Sequence, residues 1–156
     1  MGKDRIARVE VIPAALPVKT HEDSSRGETQ QHVFLRIETQ DGAVGWGEAR
    51  ALPSWTGETL EGITTALSDY FAPVLLGASP FARNAIFNTI DEIVTGAVSN
   101  GMPAARSAVD IALHDLQGKL AGVAVHELLG GKITDQLYLS HSLRAESPPA
   151  MREAAM

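Results

Sequence analysis

The sequence contains no cysteine, which excludes disulfides, thiolate zinc sites and thiol catalysis. That lack fits a reducing compartment, and a cytoplasmic protein is the expectation. Long hydrophobic runs are missing as well; none approaches the ~20 residues that span a bilayer. The opening MGKDRIARVEVIP has no continuous apolar stretch of the kind a signal peptide requires, and Ile6 stands where a myristoylation motif carries Ser or Thr. Positive charge is in deficit, with Lys and Arg at 13 against Asp and Glu at 19 and a formal net charge of -6. This balance argues against nucleic acid or an anionic membrane as partner. His21, His32, His114, His126 and His141 show no HExxH or other metal-ligand spacing. GxGxxG, P-loop and GxSxG motifs are absent, so Gly42, Gly45 and Gly47 read as hairpin and strand glycines. There is no internal repeat or low-complexity tract.

What remains is an ordinary globular composition, 44% hydrophobic and 21% charged over 156 residues, enough for one domain with a real core. Ile6 to Ala15 reads as a strand, with Pro13 at a position that an edge strand tolerates. Pro17 to Gln30 is polar and aperiodic and reads as a long loop. Gln31 to Thr39 alternates, placing Val33, Leu35 and Ile37 on one face. Asp41-Gly42 then signals a hairpin, and Ala43 to Ala49 returns as the partner strand. Glu58 to Phe71 reads as a helix limited by Pro73. Ser79-Pro80 reads as the cap and first turn of a second helix over Phe81 to Val98. Strands first and helices after give the α+β class: a three-stranded antiparallel meander followed by a helical bundle.

The longest pattern is Pro103 to Gly131. Pro103 suits a first helical turn, and Gly122 suits a left-handed C-cap. Ala105, Ala108, Val109, Ala112, Leu113, Leu116 and Leu120 form an apolar stripe, while Arg106, Asp110, His114 and Gln117 form a polar face. The many alanines predict close packing against other backbone. A short apolar turn, Val125 to Leu129, follows before Gly130-Gly131.

The run ARSAVDIALHDLQGKLAGVAV followed by HELLGGK resembles the linker helix of the enolase superfamily, in the mandelate racemase and muconate lactonizing group. GAVGWGEARALPSWTGETLEG resembles the hairpin, and the loop after it, of that group's N-terminal capping domain. The resemblance implies a capping domain over residues 1–131. Residues 132–156 would then hold the first strand of a (β/α)8 barrel, on Gln136 to Leu143, and the start of its first helix. A whole barrel needs about 250 residues, so its catalytic strands are expected beyond Met156. The implied activity is that of a racemase, epimerase or cycloisomerase, which removes a proton next to a carboxylate and stabilises the enolate on Mg2+. The family's Lys-x-Lys base is absent here. The expectation is therefore a substrate-selecting cap, muconate cycloisomerase-like and inactive alone, binding no Mg2+ by itself. In the complete enzyme the partners would be Mg2+ and a small-molecule carboxylate, and the assembly a homo-oligomer. A dipeptide epimerase is an alternative parent, because Trp55-Thr56-Gly57-Glu58-Thr59 resembles that group as well. A non-enzymatic capping module that self-associates is the alternative from another class.

The resemblance implies that two loops close over the barrel mouth. In the first, His21, with Glu22 and Arg26, could meet a charged substrate group, or the loop could simply be solvated. In the second, Trp55 could exclude water from a pocket and press on substrate, or anchor its own loop. Thr56 could face that pocket or cap the helix near Glu58. On the expected barrel strand alternate residues point inward, which makes Ser140 and Ser142 substrate-binding candidates if His141 faces away. Glu48 reads as a strand-end hydrogen-bonding residue. Asp110 and Asp115 lie five apart and read as residues on different faces that hold the helix to the barrel.

Overall fold

The computed structural model describes residues 4–17, 29–94, 101–139, 147–149 and 152. Three strands come first, β1 (Ile6–Pro17), β2 (Thr29–Thr39) and β3 (Val44–Arg50), antiparallel in the order β1-β2-β3. This is the expected meander. Val33, Leu35 and Ile37 of the central strand are fully buried, and a one-residue slip would turn all three outward, so this face fixes the register. Pro13 lies in the edge strand β1, opposite Val33. The hairpin closes as expected, with Thr39 N–H donating to Ala43 O at 2.9 Å and Gly42 N–H to Thr39 O at 3.0 Å. Gly42 takes the left-handed φ of 85° that this turn needs.

Helices follow, which makes the chain α+β. They are α1 (Pro53–Thr56), α2 (Leu60–Thr65), a π-helical segment (Ala66–Phe71), α3 (Ala72–Leu75), α4 (Arg83–Ile93), α5 (Pro103–Ala121) and α6 (Val125–Leu128). Several boundaries differ from the sequence reading, β1 running on to Pro17 and β2 starting at Thr29, so that both ends of the expected loop lie in strands. The helix expected to stop at Pro73 runs on to Leu75, because a π turn precedes the proline. Ala72 N–H reaches back to Leu67 O, and Pro73 follows in the first turn of α3, where a missing N–H is tolerated. Ser79-Pro80 forms a separate turn, with Ala82 N–H on Ser79 O at 3.0 Å and Phe81 N–H on Ser79 Oγ at 3.4 Å. The second helix therefore starts at Arg83. Residues 95–98 of its expected span lie outside the described residues.

The core lies between the sheet and the helices. Ala105, Ala108, Val109, Ala112, Leu113 and Leu116 of α5 are fully buried, together with Ile63, Leu67, Phe71 and Leu75 from α2 to α3 and Ile90 from α4. The alanines do what their size suggests. A Cβ on Gly47 would sit 1.9 Å from Ala108 O, and one on Gly45 would sit 2.4 Å from Ala112 O, so α5 lies directly on the backbone of β3. Gln117, read as part of the polar face, is buried instead; its Nε2 donates to Pro80 O at 2.6 Å. A turn distant in sequence supplies that acceptor. Beyond α6, Ile133, Leu137, Tyr138 and Leu139 are exposed, and no ladder of the sheet includes them.

Candidate functional site

The second loop is a compact turn leaving β3. Trp55 and Thr56 N–H groups both donate to Leu52 O, at 3.0 and 2.8 Å, and Gly57 N–H donates to Pro53 O at 3.2 Å. Gly57 takes a φ of 78° to end the turn. Trp55 is 87% exposed, so it does not anchor its loop on the core. Thr56 is not the helix cap. Its Oγ1 donates to Leu52 O at 3.2 Å and accepts from Glu58 N–H at 3.4 Å, while Thr59 Oγ1 caps α2 by accepting from Gly62 N–H at 3.1 Å. The helix starts later than expected because Glu58 turns inward. His21, Glu22 and Arg26 of the first loop, and Ser140 and Ser142, lie outside the described residues. Of the candidates, only Trp55 and Thr56 are therefore placed.

Glu58 is the residue that sequence reasoning missed. It is buried, and its carboxylate accepts from Ala104 N–H at 2.9 Å and Ala105 N–H at 3.4 Å. These are open donors of the first turn of α5, whose N-cap residue, Met102, carries no side-chain oxygen. A carboxylate there also meets the positive end of the helix dipole. Helix and loop are too far apart in sequence for any local pattern to have shown the pairing.

Glu48 behaves as expected, with its Oε1 2.5 Å from His32 Nδ1. On the same face of the sheet, Arg36 bridges Glu10 and Glu38, each at 2.7 Å. Those bonds, that to Glu38 first, hold the guanidinium above its ordinary value.

Asp110 and Asp115 lie on different flanks of α5, as their spacing predicts, and both border one groove of about 550 Å3 with Trp46, Ile111, His114, Val125 and Leu129. The groove is wide enough to take in side chains from either flank of α5, and the two carboxylates are engaged on opposite sides. Asp110 Oδ1 accepts from Arg83 Nε at 2.5 Å, and His114 Nδ1 lies 2.9 Å from Asp110 O. Asp115 Oδ2 accepts from Trp46 N–H at 2.8 Å and from Lys119 Nζ at 2.7 Å. The Asp110 hydrogen bond, aided by its charge, raises the Arg83 guanidinium against the lowering effect of partial burial. A raised folded value means stability that is present below the unfolded value and lost only as pH climbs through the folded one. That window is far into alkali, so this pair does not make the fold sensitive to physiological pH. Phe87 lies under both Arg83 and Arg106, 4.7 and 5.7 Å from their guanidinium carbons, which ties α4 to α5. Among the described residues no three His, Asp or Glu side chains gather as metal ligands. They do not fit a Mg2+ site.

A three-stranded meander carrying a helical layer, with a long alanine-rich helix lying on strand glycines, defines an enolase-type N-terminal domain. Residues 4–130 match the model for the mandelate racemase / muconate lactonizing enzyme, N-terminal domain, and the chain belongs to that family. The L-Ala-D/L-Glu epimerase of Bacillus subtilis is 33% identical over 149 residues, covering 94% of this chain and 39% of the epimerase. Muconate cycloisomerase 1 of Rhodococcus opacus is 32% identical over 155 residues, covering 97% of this chain and 40% of that enzyme. The crystal structure of the dipeptide epimerase from Enterococcus faecalis V583, complexed with Mg and the dipeptide L-Leu-L-Tyr, superposes with a TM-score of 0.81 at 30% identity. That alignment covers 97% of this chain and 41% of that one. The relatives are isomerases, and the chain spans about two fifths of their length.

Proposed function

We propose that this chain is the substrate-selecting cap of an isomerase that removes a proton next to a carboxylate. Residues 1–131 are the capping domain, and residues 132–156 begin the barrel. The match of residues 4–130 to the N-terminal domain model carries this reading. Trp55, exposed on a hydrogen-bonded turn, is the side chain that meets substrate. Its ring offers apolar area and excludes water without any charge that would compete for the substrate carboxylate. His21, Ser140 and Ser142 complete the proposed contacts, while Thr56 holds the turn. The substrate is a small carboxylate, a muconate-like diacid or a dipeptide. Mg2+ and the proton-transferring base belong to the remaining length of the enzyme, which works as a cytoplasmic homo-oligomer.

The test is α-proton exchange in deuterated water with Mg2+, read as deuterium at the α-carbon of the lactone formed from a muconate-type diacid and at the α-carbon of a dipeptide. The 156-residue chain alone is expected to give no exchange above buffer, and the complete protein to give turnover with one of the two substrate classes. Enzyme-level exchange by the chain alone would defeat the division of labour, and a complete protein inert to both classes would defeat the isomerase reading. A second reading, a non-enzymatic module that self-associates, draws on the exposure of Ile111 and Leu129 along the α5 groove. It predicts that the complete native product has the mass of this chain.

A further inference from the structure

The exposed Trp55 ring is not held by packing, so its place in space is set by the two ends of its turn. At the entry, Ala51 N–H donates to Gln31 O at 2.9 Å and fixes the chain to β2. At the exit, the Glu58 carboxylate is 3% exposed and takes two N–H groups from the first turn of α5, Ala104 and Ala105. Between those ends the turn is closed by its own hydrogen bonds, ending with Glu58 N–H on Thr56 Oγ1. The helix receiving Glu58 cannot easily drift, because Gly45 and Gly47 let it lie on the backbone of β3.

We infer that Glu58 is the positioning residue for Trp55: it locks the Trp55 turn onto α5, so that the ring stands preformed rather than closing over its ligand as a flap. The significance for substrate rests on the proposed function, but the mechanical claim does not. Bonds from two N–H groups to a buried carboxylate are charge-assisted and directional. A neutral amide offers one acceptor oxygen and no charge for the helix end. Glu58→Gln should therefore leave the turn's internal bonds intact while freeing its exit from α5.

The chain has two tryptophans, so Trp46→Phe leaves Trp55 as the single indole emitter. In that background, time-resolved fluorescence anisotropy separates subnanosecond and nanosecond swinging of the ring from tumbling of the whole molecule. Glu58→Gln is expected to raise the amplitude of the fast component about twofold or more. Thr59→Ala serves as the comparison, since it removes the cap of α2 beside the turn without touching the Glu58 contacts; it should leave that amplitude unchanged. An unchanged amplitude in Glu58→Gln would overturn the inference. So would an equal rise in Thr59→Ala, which would mark general loosening rather than positioning. No substrate enters the measurement, so an inactive complete enzyme would remove the substrate role of Trp55 and leave its positioning by Glu58 standing.

Discussion

Single residues decide where α5 lies. Replacing a strand glycine by alanine normally gains about 0.5–1 kcal/mol of backbone entropy. At Gly47 the added Cβ would stand 1.9 Å from Ala108 O, and neither that carbonyl nor the strand can swing aside as a side chain could. Overpacking of this kind costs typically 1–3 kcal/mol, and a backbone obstacle puts Gly47→Ala at about 3 kcal/mol or more, well past the entropic gain. Urea unfolding of the two forms checks it, with a large drop in midpoint expected. A midpoint within error of the parent would mean that α5 stands off β3. This contact was half legible: the alanines of α5 announce a close neighbour, but nothing in the sequence says that the neighbour is Gly45 and Gly47. Gln117 was misread, and Glu58 passed over, for the same reason. Polar side chains at helical spacing look solvent-facing until a distant Pro80 carbonyl or the Ala104 and Ala105 amides supply their partners.

At the scale of elements, periodicity was a good guide wherever neighbours in sequence set the outcome. The alternation in β2, the Asp41-Gly42 turn and the Pro103 and Gly122 ends of α5 all came through. Pro73 misled because it falls in the first turn of α3, after a π turn, and no local signal marks such a turn. The edge of the sheet shows how one element protects another. β3 pairs with β2 on one side only, and an open edge is a template for unwanted pairing. Asp115 and Lys119 of α5 cover it, accepting from Trp46 N–H and donating to Val44 O at 2.9 Å. Asp115→Ala should cost about 1 kcal/mol, the net worth of such a hydrogen bond where water can replace the lost acceptor. Lys119→Ala should cost less, because its ammonium is half exposed and exposed pairs contribute ~0–1 kcal/mol. Thermal unfolding of both variants gives the order. A larger loss from Lys119→Ala would show that the bonds of its ammonium to Val44 O and Asp115 outweigh the Trp46 amide bond.

For the whole molecule, the arrangement of charge among the described residues supports the proposal that Mg2+ belongs to the remaining length of the enzyme. Many of the described carboxylates are already engaged within the fold, among them Asp110 on Arg83, Asp115 on Lys119 and Trp46, Glu58 on α5, and Glu10 and Glu38 on Arg36. A divalent cation would have to displace these bonds and also gather ligands that do not converge among the described residues. Binding to the folded state alone stabilises by RT ln(1 + [L]/Kd), about 2.7 kcal/mol at a hundredfold excess over Kd. A shift of that size moves the midpoint of a chain this long by several degrees. The 156-residue chain should therefore melt at the same temperature with millimolar Mg2+ as with the same ionic strength of a monovalent salt. The matched salt is needed because screening alone changes the surface pairs. A rise of several degrees specific to Mg2+ would place a metal site in this chain and undo the assignment of metal chemistry to the remaining length of the enzyme. No rise, combined with a rise in the complete protein, is the outcome that the proposed cap, with its metal held in the remaining length of the enzyme, predicts.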